Sequence, residues 1–426
     1  MLDRQWDGAI RQALSGEPRT TVFVERREDL SAVAASAENP TVNHTVWAGT
    51  CVERPDRSMF FYSDLRPDQL GTLVSGNPPR EVAPAIRDDL ELDPGPAVAG
   101  VTGAIVEAGK RFPGARFTAR WVEFDQRVAI GNMDRVVGDR RSTRRFRIDA
   151  SLERSDRVAE AVAECVVQDD KNYISLLLEA VGERLEARLD AANPVPGPTT
   201  VVFAPSIAGI WIHELVGHAV EADVATRGRS WLTPEIDGLH PGLTVIDDPR
   251  RARAAWNVDD EGTPTRAVAL IRDGRPKELL HSCRTASESG AQPTGHGRRG
   301  SYREPVLPRM GCTFIANGTD DPNEILQNVQ EGTYVRRMES AQTDPTTGRA
   351  LFRVTDADRI DCGKLVEPLK PHLLETVAGK ALAAIEGIGN DLAFDRCIGS
   401  CHRQGQPLST SVGAPTICTR LMTVRF

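Results

Sequence analysis

The chain opens on an amphipathic stretch, Leu2 to Leu14, then passes into short apolar runs of β character: TTVFVERR, HTVWAGTCVE and SMFFYS. Apolar and polar residues alternate in RFTARWVEFDQRVAI and RRFRIDASLERS, which predicts two more strands, since residues two apart share a sheet face. A loop over 85–93 leads into a helix at 97–109. A helical period follows twice. Val158, Ala161, Val162, Cys165 and Val166 predict one helix with Ser155 as its N-cap; Ile174, Leu177, Leu178, Val181 and Leu185 predict a longer one. AANPVPGPTT (191–200) is then rich in proline, which removes backbone donors and fixes φ, and the domain boundary is placed there. The expected architecture is α+β, with an N-terminal α/β domain over 1–194 and a mostly-β C-terminal domain over 195–426 carrying a metal-site helix. VVFAP, TVIDDPR, RAVALIRDGRPKELL, GCTFIANGT, TYVRRMES and RALFRVTDADRI read as its strands. Leu374, Val377, Ala378, Ala381 and Ile385 predict an amphipathic helix over 373–386.

Composition narrows the function. With 426 residues, 40% of them hydrophobic and 26% charged, the chain reads as an ordinary soluble protein with room for a substantial core. A net charge of −8 argues against general nucleic-acid binding. The charged opening MLDRQWDGAIRQALSGEPR has no apolar core of a secretory leader, and VVFAPSIAGIWI is too short and too interrupted to span a membrane. The cysteines are scattered without a CxxC pair, which fits reduced thiols in the cytoplasm better than a disulfide framework.

The segment with chemistry is WIHELVGHAVEAD, residues 211–223. His213, Glu214 and His218 form His-Glu-x-x-x-His, one residue longer than the zinc-protease pattern that puts two histidines on one helical face. On a regular helix, residues five apart point roughly 140° away from each other. One widened turn with an i→i+5 hydrogen bond restores a common face, and Gly217, lacking a Cβ, would ease it. Glu214 has the position of a general base, while Glu221 or Asp223 could hydrogen-bond a ligand imidazole. A bare motif of this kind in a helix is more often ordinary polar residues, and two histidines are too few for a zinc site. Composition alone leaves the third ligand open among the other histidines, the cysteines and the carboxylates.

HELVGHAVEAD, TVIDDP, DDEGTPTRAVALIRDGRPKELL, GRRGSYREPVLPRM, DPTTG, IEGIGND and the closing CHRQGQPLSTSVGAPTI together resemble, in order, the motifs of the TldD/PmbA metallopeptidases. The resemblance covers about residues 105–426, is strong from residue 200 onward and is faint over the first hundred. It implies zinc held by His213, His218 and Cys401, with Glu214 as base. It also implies a dimer, with a related metal-less PmbA/TldE-like subunit as partner or, in some relatives, a second copy. The sequence departs from the family pattern after the cysteine, where His402-Arg403 replaces Gly-Lys, and at GNMDRVVGDRR. His402 and Cys397 are possible competing ligands, with ordinary loop roles favoured. Arg298, Arg299, Arg303 and Arg309 could hold a substrate carboxylate but individually read as paired or solvated, and Asp247-Asp248 and Asp259-Asp260 as turn residues.

The expected function is therefore a zinc-dependent peptidase or amide hydrolase acting on peptides or peptide-like substrates, which the C-terminal sheet could hold by strand addition. Two alternatives stand beside it. One is a dedicated hydrolase removing an aminoacyl or γ-glutamyl-type group from a small biosynthetic intermediate; the other is a non-catalytic structural subunit of a heterodimer.

Overall fold

Six strands form the N-terminal sheet: β1 (Thr21–Ala34), β2 (Thr41–Glu53), β3 (Met59–Ser63), β4 (Arg116–Gly131), β5 (Val136–Arg154) and β6 (Arg157–Val166), in the order β3-β2-β1-β4-β5-β6. They belong to a computed structural model that describes residues 3–15, 17, 20–54, 59–63, 67–75, 91–132, 134–155, 157–167, 172–397 and 399–425. Most of the loop expected at 85–93 lies outside the described residues. Every pairing in the sheet is antiparallel. Side-chain alternation fixes its two faces. Val22, Val24, Leu30 and Ala32 of β1 lie beneath the helices Asp3–Ala13, Pro94–Arg111 and Tyr173–Leu189, with Trp6, Val101, Leu178 and Val181 filling the layer between. Phe23 and Glu25 point to the opposite face, toward the C-terminal half. Asp93 caps the Pro94–Arg111 helix by accepting from Gly95 N, and proline at its first position loses no bond there.

Two helix expectations fail in instructive ways. The segment from Arg157 to Val166 is strand β6, paired with β5 from Arg145↔Val166 to Arg154↔Arg157. Its alanines Ala159, Ala161 and Ala163 alternate inward and are buried, while Val158, placed on the expected helical face, is 64% exposed. A short apolar run satisfies both periods, and a neighbouring strand with unpaired backbone groups decides between them. Ser155 is a left-handed turn residue (φ 57°) and not a cap. The expected 373–386 helix is divided into a strand (His372–Val377), a short helix (Ala378–Ala383) and another strand (Ile385–Ile388).

Among the described residues, the C-terminal half is built from two seven-stranded sheets and a two-stranded pair, Gly297–Arg298 with Leu307–Pro308. In one, Gly197–Phe203 lies between Glu331–Asp344 and Ile417–Arg425, and the pairing of Glu331–Asp344 with Arg349–Asp361 closes the path on itself. In the other, Cys312–Ile315 lies between Val245–Asp247 and Gln406–Ala414. Trp211, Ile212, Leu215 and Val216 are fully buried in the core they share with strand residues Val335, Phe352 and Ala414. The motif segment is thus clamped along its length.

The halves meet through polar contacts made deliberately close. Arg141 Nη1 donates to Asp260 Oδ1 at 2.6 Å, and Tyr302 N–H donates to Glu25 Oε2 at 2.8 Å. The Tyr302 ring occupies the space that a Cβ on Gly49 would take. Among the described residues, no helix is long and apolar enough to cross a membrane.

Candidate metal centre

Ala208–Ile212 begins as an α-helix, and His213–Gly217 continues it as a π-turn. The backbone N–H of His218 reaches the carbonyl of His213, an i→i+5 bond, so the widening required by the five-residue spacing is present. The imidazoles of His213 and His218 consequently face a common point, with ring centroids 5.1 Å apart and planes at 87°. Gly217 matters for a different reason from the one expected. Its φ of −53° and ψ of −52° are ordinary helical values that any residue adopts. A Cβ there, however, would collide with Met310 Sδ and come within 2.9 Å of its Cε, in a site where Met310 is buried. Gly217→Ala is expected to cost about 1–3 kcal/mol through overpacking, and to weaken zinc binding as His218 is displaced, measurable by denaturant unfolding and competition with a chelator.

After His218 the chain leaves the helix at Glu221 (ψ 118°). Ending a helix orphans carbonyls, and that of Leu215 is satisfied by the Trp231 indole N–H at 2.7 Å. Nothing in the local sequence signals that partner.

Cys401 comes from the strand Gly399–Arg403, which turns through Gln404 (φ 49°) and Gly405 (φ 80°) into Gln406–Ala414. Arg309 fixes this hairpin from below. Its guanidinium donates to the Cys401 carbonyl at 2.7 Å and to the Gln406 carbonyl at 3.1 Å. The Gln406 side chain accepts from Gly300 N–H at 2.9 Å and donates to the Pro305 carbonyl at 3.1 Å. The motifs GRRGSYREPVLPRM and CHRQGQ therefore hold each other. Gly209 has no Cβ to meet the Gly413 nitrogen, which would lie 2.7 Å away, so the motif helix packs directly on the Gln406–Ala414 strand.

These supports bring His213, His218 and Cys401 together, with one donor atom from each lying within 4.8 Å of the others. Cys401 Sγ is 3.5 Å from His218 Nε2. A tetrahedral zinc with nitrogen at about 2.05 Å and sulfur at about 2.3 Å separates two such donors by about 3.5 Å. Burial opposes the Cys401 thiolate, but hydrogen bonds and charge from His213 and His218 outweigh it and lower the thiol to about 5. His213 Nδ1 is buried with no hydrogen-bond partner among the described residues. A thiolate and two imidazoles at this spacing fit zinc, on donor chemistry and on geometry.

A second layer orients the first. Glu221, fully buried, accepts from His218 Nδ1 at 3.0 Å, which leaves Nε2 toward Cys401. Burial lowers the His218 pKa, yet the Glu221 carboxylate and Cys401 raise it well above the ordinary imidazole value. Arg403 Nε lies 3.4 Å from Glu221, Arg403 Nη2 donates to Asp223 at 2.6 Å, and Arg309 Nε is 3.9 Å from Glu221. Of the two acidic residues that the sequence offered, Glu221 is the one bonded to a histidine. Glu221→Gln is expected to lower zinc affinity roughly ten- to a hundredfold, read by chelator competition, because the histidine loses the charge that fixes its tautomer.

The remaining candidates lie elsewhere. His402 is exposed and bonds Ser400 Oγ at 3.1 Å. Cys397 donates to the Glu164 carbonyl, and its burial pushes the thiol far up. Arg298 stacks 4.2 Å over Trp256 and pairs with Asp260, Arg299 stacks over Phe23, and Arg303 bonds Tyr302 and Ser63. Asp247 is enclosed by His296, Gly311 N–H and Thr313, and Asp248 caps Pro249–Arg251. Glu214, half-buried beside His213, pairs with no side chain among the described residues. The residue the sequence reading undervalued is Arg309, whose partners are carbonyls and leave no pattern in side-chain types.

A closed β-rich half holding a π-widened His-Glu-x-x-x-His segment against a C-terminal cysteine defines a class, and the sequence comparisons agree on which. The model of the PmbA/TldA metallopeptidase C-terminal domain matches residues 196–425, and the chain belongs to this PmbA/TldD metallopeptidase family. It is 32% identical over 266 residues to a metalloprotease TldD homolog of Buchnera aphidicola subsp. Schizaphis graminum, covering 61% of this chain and 55% of that protein. It is 29% identical over 257 residues to a zinc metalloprotease TldD homolog of Saccharolobus solfataricus, covering 59% of this chain and 57% of that one. The matches thus span little more than half the length of these relatives. In fold it resembles the crystal structure of TldE from Thermococcus kodakarensis, with a TM-score of 0.78 at 15% identity over 98% of this chain and 99% of that one.

Proposed function

We propose that this protein is a zinc-dependent peptidase or amide hydrolase in which His213, His218 and Cys401 hold the metal and Glu214 is the general base. One observation carries the reading: three donors from two distant segments, two of them buried and one half-buried, converge at a spacing that fits a tetrahedral zinc. When bound, the metal supplies Lewis acidity, which acidifies water and polarises a carbonyl. Glu214 would take a proton from an attacking water and return it to the leaving amine; its lack of a competing side-chain partner among the described residues suits it to both transfers. Glu221 holds the His218 ring, and Arg309 holds the Cys401 backbone, so neither ligand has to be ordered when the metal arrives.

The substrate is a peptide or peptide-like amide. The narrower choice, a small aminoacyl amide, is motivated by the chain's divergence over its first hundred residues. Hydrolysis rates on unfolded peptides and on amino-acid amides separate the two, and rapid general peptide cleavage counts against the narrower one. The proposed assembly is a dimer with a metal-less TldE-like subunit, supported by the fold shared with a protein of that name. The proposed compartment is the cytoplasm, supported by free cysteines throughout the described chain. Zinc content and hydrolysis, measured with and without such a partner, test the whole reading. Protein that binds no zinc, or holds zinc yet cleaves no amide in either state, would count against it.

A further inference from the structure

Cys401 and Arg403 lie two residues apart on the strand Gly399–Arg403, so their side chains leave the same face of it. Both reach the motif segment. Cys401 Sγ is 3.5 Å from His218, and the Arg403 Nη2 group donates to Asp223 Oδ2 at 2.6 Å. The guanidinium has two further neighbours: its Nη1 group donates to the Pro308 carbonyl at 3.1 Å, and its Nε lies 3.4 Å from Glu221 Oε2. That same Glu221 oxygen accepts from His218 Nδ1 at 3.0 Å. One carboxylate oxygen therefore stands between the ring of one candidate ligand and the strand that carries another.

Charge makes this contact matter. The side chains of Glu221 and Asp223 are 0% and 5% exposed, and a buried carboxylate is costly unless it is paired. A histidine that binds a metal through Nε2 is a neutral imidazole, so its Nδ1–H group gives Glu221 a hydrogen bond but no charge. Arg309 is the more distant cation. Its Nε lies 3.9 Å from Glu221 Oε1, and its other nitrogens are spent on the Cys401 and Gln406 carbonyls. Arg403 is closer to Glu221 and bonded to Asp223, so it faces both acids at once. The backbone on either side depends on other groups. Leu280 N–H donates to the Val220 carbonyl at 2.9 Å, and Ala222 N–H donates to the Leu280 carbonyl at 3.0 Å, which secures the chain around Glu221. The cysteine hairpin is held by Arg309. Loss of Arg403 would release a carboxylate and leave both segments in place.

We infer that Arg403 is a positioning residue that couples the two ligand segments: it holds the Glu221 carboxylate against His218 Nδ1, so that His218 presents Nε2 in register with Cys401. Without it, the Glu221 charge is uncompensated and the imidazole loses the anchor that fixes its orientation. A lysine would keep the charge, but a compact ammonium does not span Glu221, Asp223 and the Pro308 carbonyl as the planar fork does. The inference rests on the metal reading proposed above and is independent of whether the protein cleaves amides.

The test compares the full-length wild-type protein with Arg403→Gln and Arg403→Lys, alone and with Glu221→Gln as a second background. Zinc affinity is read by chelator competition, and ligand geometry by the visible absorption bands of cobalt-loaded protein. Arg403→Gln is expected to weaken zinc roughly tenfold or more and to shift the cobalt bands, the size of effect seen when a ligand histidine loses its outer partner. Arg403→Lys is expected to recover at least about half of that loss on a logarithmic scale, because it restores the charge. In the Glu221→Gln background, Arg403→Gln should cost less than about a further threefold, since the group it acts through is already neutral. A merely structural role would carry its whole cost into that background. The inference is overturned if Arg403→Gln binds zinc as tightly as wild type, if Arg403→Lys is no better than Arg403→Gln, or if the loss persists undiminished beside Glu221→Gln. Should Arg403→Gln fail to fold, the double variant lacks the unpaired Glu221 charge and is compared with Glu221→Gln alone; a larger difference than threefold overturns the inference. Wild-type protein that binds neither metal overturns the metal reading and this inference with it, whereas zinc-binding protein that cleaves no amide leaves this inference standing.

Discussion

Glu214→Gln is expected to retain its zinc and to lose roughly a hundred- to ten-thousandfold in kcat, the range contributed by a positioned general base. That loss corresponds to about 3–5 kcal/mol of barrier. The substitution is nearly isosteric, and Glu214 makes no ion pair among the described residues, so nothing structural depends on its charge. His213, His218 and Cys401 keep their positions because the π-turn is fixed by buried neighbours on either side of Glu214. Zinc content, stability and KM should therefore change little while kcat collapses. An active Glu214→Gln protein with normal metal content would remove Glu214 from the mechanism and point to another base.

Cys401→Ala is expected to have the opposite signature: the fold survives and the metal is lost. Two imidazoles remain, too few to hold zinc against a competing chelator, and activity should fall to background with the metal content. The backbone at this position is secured by Arg309 through the Cys401 carbonyl, which alanine retains, so the hairpin and its Gln406 clamp should stay in place. An unfolding free energy, measured for metal-free protein, should differ from metal-free wild type by no more than about 1–2 kcal/mol. Zinc retained at wild-type affinity would assign the third ligand elsewhere. His402 and Cys397 are poor substitutes on this geometry, since one is exposed beside Ser400 and the other is bonded to the Glu164 carbonyl.

Much of the fold could be read from local pattern wherever one period dominated. The helix from Tyr173 to Leu189 and strands β4 and β5 follow from the spacing of their apolar residues, and β1 and β2 from their apolar runs of β character. The failures fall where two periods fit the same letters. Residues 157–166 became a strand because β5 offered a free edge, and 372–388 was divided because its first and last parts pair with Ile417–Arg425. Edge availability is a property of the partner, not of the segment.

The site divides along the same line. The five-residue interval between His213 and His218, by itself, determined that any shared metal would need a widened turn, since helical geometry leaves no other way to align them. It also offered Glu221 as a possible anchor for His218, three residues and one turn away. What only the tertiary structure decided was the convergence of Cys401 from 183 residues further on, the burial that makes an Arg309 clamp on two carbonyls necessary, and the real reason for Gly217, which is space for Met310. Spacing constrains residues within one element through bond geometry; contacts between elements are set by packing, which the chain encodes only as a whole.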